Sequence, residues 1–264
     1  MNIEKLHLLW FSATGTTKRI IGIIAEQFEA SAVIRHDITK PALSEDVFLG
    51  PNDLLIVGMP VYSGRIPAIA VKALNKFKGS KTPVVMACVY GNRDYDDALL
   101  ELKDLLLAKD FAPVSAGAFI AQHSIFPAVG ASRPDEKDRE AIAAFGAKSA
   151  ALLSYLDDIA CLPDLGVKGH RPYKKPGKVP LTPKVDKKCD KCGLCVKICP
   201  TKAIPSFNPR ISFGRQCIAC AHCIVSCPQQ ARHFGGFIYK IAGKKFVKDC
   251  SLRKEPEMVY PEIL

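Results

Sequence analysis

No run of about 18 uninterrupted apolar residues occurs in this 264-residue chain, so no membrane-spanning helix is expected. The opening segment MNIEKLHLLWFS has neither a long apolar core nor a small-residue cleavage site. Neither export nor membrane insertion is therefore expected, and the expected location is the cytoplasm. Basic strands interleaved with aromatic residues, the pattern that stacks bases, are also missing, so nucleic acid is not expected as a partner. The formal charge of +11 is mostly local, because residues 167–188 carry eight Lys/Arg against one Asp.

What is abundant is cysteine. There are eleven, and eight of them fall between Cys189 and Cys227. Thiols in a reducing compartment serve as ligands or catalysts rather than as a disulfide framework, and such crowding points to metal. Cys189, Cys192, Cys195 and Cys199 are followed by Pro200; Cys217, Cys220, Cys223 and Cys227 are followed by Pro228. Both runs read C-x2-C-x2-C-x3-C-P, displaced by 28 positions. Three cysteines at two-residue gaps wrap a cubane in a tight loop, and the fourth is carried past a helical turn. Zinc also takes four thiolates, but zinc ribbons bring two separated C-x2-C knuckles together, so iron–sulfur is the better reading. His222, between two of these cysteines, reads as a surface residue, and Cys88, Cys161 and Cys250 as inert thiols.

This stretch closely resembles the bacterial two-cluster ferredoxins, including CPTKAI and CPQQAR after each fourth cysteine. The resemblance implies two [4Fe-4S] clusters with exchanged fourth ligands. One would take Cys189, Cys192, Cys195 and Cys227; the other would take Cys217, Cys220, Cys223 and Cys199.

The first 160 residues alternate strand-like and helix-period segments, the pattern of a parallel sheet covered on both faces. Candidate strands are Leu6–Ser12, Ala32–Asp37, Leu54–Met59, Pro83–Val89 and Pro113–Ala121. The turn Ser12 to Thr17 offers hydroxyls, a glycine and the free N–H groups of a starting helix, which together make an anion cradle. It is neither G-x-G-x-x-G nor G-x-x-x-x-G-K-[ST], so it is not a dinucleotide fingerprint or a nucleoside-triphosphate loop. Lys18 and Arg19 are expected to face solvent. Two further loops, GMPVYSGRIP and YGNRDYDD, end the third and fourth strands and carry Gly and Tyr. Ligands of open parallel sheets sit at that edge, and one phosphate loop plus two aromatic loops describe a flavin mononucleotide pocket.

SATGTT is similar to the phosphate loop of flavodoxins, with Thr16 where asparagine is common and Ile20 where a small alanine is usual. That likeness implies that Ser12, Thr14, Gly15, Thr16 and Thr17 bind the FMN phosphate. Pro60, Val61, Tyr62, Gly64, Tyr90, Gly91 and Asn92 would line the isoalloxazine, with Tyr62 and Tyr95 as rival stacking partners. It further implies a peptide bond that turns over toward the reduced ring, with Gly64 as candidate pivot. His123 and Ser124 read as loop polarity and capping, with proton donation to a substrate as the alternative. Asp94, Asp96 and Asp97 read as helix N-terminal charges.

The chain thus divides into a flavodoxin-like α/β domain over 1–162, with a doubly wound parallel five-stranded sheet in the order 2-1-3-4-5. A Pro/Lys-rich linker follows over 163–183, then a small α+β two-cluster ferredoxin domain over 184–235 and a tail over 236–264. Over nearly its whole length it resembles the fused flavodoxin and two-cluster ferredoxin proteins of anaerobic microbes. Two [4Fe-4S] clusters and FMN would bring the charge down to about +5, suited to acidic soluble redox proteins as partners. The resemblance implies electron transfer at low potential. An FMN-dependent reductase of a small-molecule electron acceptor such as a quinone, and a redox-sensing or docking module, are the alternatives.

Overall fold

The computed structural model describes residues 3–40, 45–155, 162–177 and 179–262. Cys161 lies outside them. Five parallel strands form the central sheet: β1 (Lys5–Trp10), β2 (Ala32–Asp37), β4 (Asp53–Pro60), β6 (Thr82–Tyr90) and β7 (Phe111–Ile120). A two-stranded pairing of β3 (Val47–Phe48) with β5 (Phe77–Lys78) lies apart from it. The central order β7-β6-β4-β1-β2 is the expected 2-1-3-4-5 read from the other edge.

Strand alternation places the core on both faces. Leu6, Leu8 and Trp10 join one buried cluster with Ile20, Ile21 and Ile24 of α1 (Thr16–Ala25) and Ile142 and Phe145 of α4 (Glu136–Tyr155). Leu9 and Phe11 join the other, with Leu74 of α2 (Ala68–Leu74) and Leu99, Leu102 and Leu106 of α3 (Ala98–Leu107). The central strands β4 and β6 are buried along their whole length, as expected of strands covered on both faces. Ile20 is fully buried, so the larger residue at that position is absorbed into the helix–sheet contact.

The tail is part of this layer. After α7 (Phe237–Asp249), β10 (Glu257–Val259) pairs antiparallel with β7 and makes the sheet six-stranded. The segment expected as a linker is an ordered strap on α3. Lys168 pairs with Asp94 at 3.0 Å, Arg171 Nε donates to Asp104 at 2.8 Å, and Lys174 Nζ meets Asp96 at 3.2 Å. The backbone N–H groups of His170 and Lys174 donate to Asp97 at 2.9 and 2.6 Å. Asp97 stands at the N-cap of α3, as expected of a helix-start charge, and with Asp94 and Asp96 it also anchors the strap.

Residues 184–233 form a small lobe. Its ends are joined by β8 (Lys184–Val185) paired antiparallel with β9 (Arg232–His233), and it carries the short helices α5 (Leu194–Ile198) and α6 (His222–Val225). The sequence duplication repeats in the backbone: Lys191 and Ala219, Gly193 and Ala221, and Lys202 and Gln230 all have positive φ, each pair 28 positions apart. Among the described residues no helix is long and apolar enough to cross a membrane.

Candidate functional site

The thiols are gathered in two sets. Cys189, Cys192, Cys195 and Cys227 line one small cavity, with Cys223 on its wall. Cys199, Cys217, Cys220 and Cys223 line a second. The fourth cysteine of each run therefore sits with the first three of the other. Ala203 N–H points at Cys199 Sγ at 3.2 Å, and its repeat mate Ala231 N–H at Cys227 Sγ at 3.4 Å. Such N–H···S bonds favour thiolate and tune a bound cluster. Arg232 is only 3% exposed and places Nη1 at 3.8 Å from Cys223 Sγ, a buried cation for an anionic centre. Without iron, burial pushes the Cys220 thiol up to about 12 and Cys223 to about 11. His222 is half-buried beside the second set, and its Nδ1 has no hydrogen-bond partner. Cys88 and Cys250 are buried away from both sets.

Among the described residues no three Cys, His, Asp or Glu side chains converge on a point that would hold one metal ion.

A larger cavity of about 580 Å³ opens at the carboxyl ends of the parallel strands. Thr14, Thr16 and Thr17 line one part of it. Here α1 starts from Gly15 at φ 86°, with no acidic residue in its first turn. A helix start whose dipole is not offset by an acidic side chain fits a phosphate. Ser12 stands outside the cavity wall and braces the turn: its Oγ accepts Lys18 N–H at 3.0 Å, and its N–H donates to Thr39 Oγ1 at 2.6 Å. Lys18 and Arg19 face solvent.

Pro60, Val61, Tyr62, Gly64, Tyr90 and Gly91 line the same cavity. Ser63 and Gly64, at φ 54° and 85°, form a tight turn closed by Tyr62 N–H to Arg65 O at 2.9 Å and Arg65 N–H to Tyr62 O at 3.2 Å. Two consecutive left-handed residues define a primed turn. Arg65 holds its base through a two-pronged pair with Glu101, both contacts at 2.7 Å. Because the ends of the turn are tied, only the Ser63–Gly64 peptide lies between them. Burial, with the Cys220 thiol adding to it, raises the Tyr62 phenol well above its usual range; burial and then Glu257 push Tyr90 up to about 12.

Two expected ring residues are elsewhere. Tyr95 is 2% exposed in the core under α3, with its hydroxyl on Glu257, so Tyr62 is left as the candidate stacking ring. Asn92, also 2% exposed, donates from Nδ2 to the carbonyls of Cys250 and Leu252, both at 2.8 Å. Each is claimed by the C-terminal segment, which the local sequence around positions 90–97 does not announce. His123 and Ser124, for which proton donation is the alternative reading, do line the cavity, and it has further walls that the sequence reading missed: Gln122 and Phe126 after β7, Phe246 of α7, and Cys217–Ala219 of the second thiol loop. Only the aromatic spacing of FIYKIAGKKF hints at the α7 contribution.

Residues 183–204 match the family described as 4Fe-4S binding domain, a match that ends before Cys217. No curated protein matches the chain. Among solved structures, it is similar to oxidised flavodoxin 1 from Bacillus cereus, with 19% identity, 58% of this chain and 100% of that one covered, and a TM-score of 0.41. A flavodoxin from the domain Archaea is 11% identical, over 57% of this chain and 99% of that one, with a TM-score of 0.37. The flavodoxin of Streptococcus pneumonia TIGR4 is 17% identical, over 56% and 97%, with a TM-score of 0.39. By its strand order and its family match, the chain joins a doubly wound α/β layer of flavodoxin type to a 4Fe-4S binding segment.

Proposed function

We propose that the chain is an electron-transfer protein linking soluble redox partners, two [4Fe-4S] centres and a bound FMN. Cys189, Cys192, Cys195 and Cys227 would hold an outer centre, and Cys217, Cys220, Cys223 and Cys199 an inner one. Thr14, Thr16 and Thr17 would take the phosphate, and the loops around Tyr62 and Tyr90 the ring. When bound, the clusters pass single electrons and the flavin accepts one or two, so their union converts between the two currencies.

One observation carries this reading: Cys217, Ile218 and Ala219 share the walls of the cavity that Thr14 and Thr16 line. An inner thiol loop thus borders the nucleotide cavity directly. The outer set faces away toward solvent, with Cys192 exposed and Lys187, Lys188, Lys191 and Lys197 exposed around it. These lysines suit an acidic partner, whereas Lys168, Arg171 and Lys174 are already paired within the chain.

The test is anaerobic reconstitution, with assay of iron, sulfide and flavin, followed by stepwise photoreduction monitored by visible and paramagnetic resonance spectra. The expected result is about eight irons and one FMN per chain, with electrons equilibrating between the centres. Zinc without labile sulfide would overturn the reading. Clusters that never exchange electrons with the flavin would point to a sensing or docking module.

A further inference from the structure

Part of the cavity is walled by residues that the three nucleotide loops do not supply. His123, Ile125 and Phe126 follow β7, and Phe246 comes from α7. Their rings interlock: His123 lies 4.7 Å from Phe246 and 5.6 Å from Phe126, and the two phenylalanines are 5.1 Å apart. Tyr239 stacks on Phe126 at 5.2 Å and donates its hydroxyl to Ile125 O at 3.1 Å, clamping α7 to the loop.

One polar group of fixed polarity sits in this aromatic wall. His123 Nδ1 accepts the backbone N–H groups of Ile125 at 3.1 Å and Phe126 at 3.0 Å. A nitrogen used as acceptor carries no proton, so the neutral ring bears its hydrogen on Nε2. No described residue accepts from Nε2. Gly91 is the floor beneath the imidazole, since a Cβ there would meet His123 Cβ and Cγ at 2.8 Å. Burial, with Arg93 adding to it, holds the imidazole neutral, its pKa lowered to about 4.

Resting on the FMN reading, we propose that this part of the cavity binds a small planar carbonyl compound of the quinone class as electron acceptor, with His123 Nε2–H donating to a carbonyl oxygen. A group that only donates selects an acceptor oxygen, and flat apolar walls select a conjugated plane. The strap at Pro176 and Gly177, the second thiol loop and α7 all rise around the cavity, which favours a small molecule over a protein. Reduction of a quinone to its hydroquinone consumes two electrons and two protons, and each carbonyl oxygen gains one O–H. Two equivalents of a reduced one-electron donor protein supply the electrons, and solvent supplies the protons. His123 keeps its own proton; it orients the acceptor and steadies charge that develops on the oxygen.

The test uses oxidised, fully loaded protein without a donor, so that nothing turns over. Titration with 2-methyl-1,4-naphthoquinone is followed by flavin fluorescence and by calorimetry. His123→Asn keeps an oxygen for the two loop N–H groups, but its amide Nδ2–H2 is set back from the position that Nε2–H occupies. It should weaken the quinone about 5- to 10-fold while FMN affinity stays within about twofold. Phe246→Ala, which opens the wall and leaves His123 in place, should weaken the quinone as well. A loaded wild-type protein that does not bind the quinone, or a His123→Asn protein that loses FMN instead, would overturn the inference. A chain that never takes up FMN would defeat the FMN reading, and this inference with it.

Discussion

The phenol of Tyr95 donates a 2.6 Å hydrogen bond to the carboxylate of Glu257, 162 positions further along the chain. It joins the loop after β6 to the strand that closes the sheet edge, and it accounts for the removal of Tyr95 from the large cavity at the carboxyl ends of the strands. Tyr95→Phe should therefore cost about 1–2 kcal/mol, or about 3–6 °C in Tm. FMN affinity should be unchanged. Tyr62→Ala, in contrast, should weaken FMN. Thermal melts and flavin titrations of both variants separate the two tyrosines.

Asn92 ties the same loop to the chain after α7, from a backbone at φ 61°. Asn92→Gly keeps that backbone accessible and removes only the two hydrogen bonds, so a loss of about 1–3 kcal/mol is expected. Faster amide exchange should follow over residues 250–259. Asn92→Ala should cost more, because a left-handed backbone is strained for alanine.

Gly64 lies at φ 85° and a methyl group there would run into Asp96. Gly64→Ala should disturb the Ser63–Gly64 peptide at the cavity wall. The expected readouts are weaker FMN binding and a shifted flavin potential in a redox titration. An unaltered potential would show that this peptide does not respond to the ring.

The strap should be pH-sensitive. Asp97 lies below the usual carboxylate range chiefly because it accepts the Lys174 N–H, and Asp104 chiefly because of Arg171. A lowered folded-state pKa gives stability that is complete above the unfolded value, about 4, and is lost as pH falls through the folded value. Exchange of residues 164–177, corrected for intrinsic rate, should be slow at pH 6 and should rise below about pH 4, before the central sheet opens.

The crossed thiol sets predict which centre each fourth cysteine serves. Cys227→Ala should deplete the centre held by Cys189, Cys192 and Cys195 and leave the one beside the nucleotide cavity. Cys199→Ala should do the reverse and uncouple the flavin. Iron content and paramagnetic resonance spectra of the two variants distinguish the exchanged from the unexchanged assignment.

Much of this was legible locally. The apolar runs marked the five strands, since β1, β4 and β6 are buried almost throughout, and the resemblance to flavodoxins supplied their order. The repeated cysteine spacing pointed to the eight cysteines that line the two small cavities, because three of each set lie within one tight loop. The uncertain choice between Tyr62 and Tyr95 was not resolvable that way. Both follow parallel strands, and what separates them is Glu257, a residue whose approach depends on how the tail folds back.

The sequence by itself determined which segments of the first layer are strands, the hydroxyl-rich turn at the first helix and the two thiol runs, because each is a pattern within a few residues of chain. Tertiary structure alone decided that the tail completes the sheet, that the basic segment is spent on the acidic start of α3, and that Cys217, His123 and Phe246 meet around one cavity. Those outcomes depend on side chains far apart in the chain, 67 positions for Arg171 and Asp104 and 162 for Tyr95 and Glu257, and no local pattern records which contacts form.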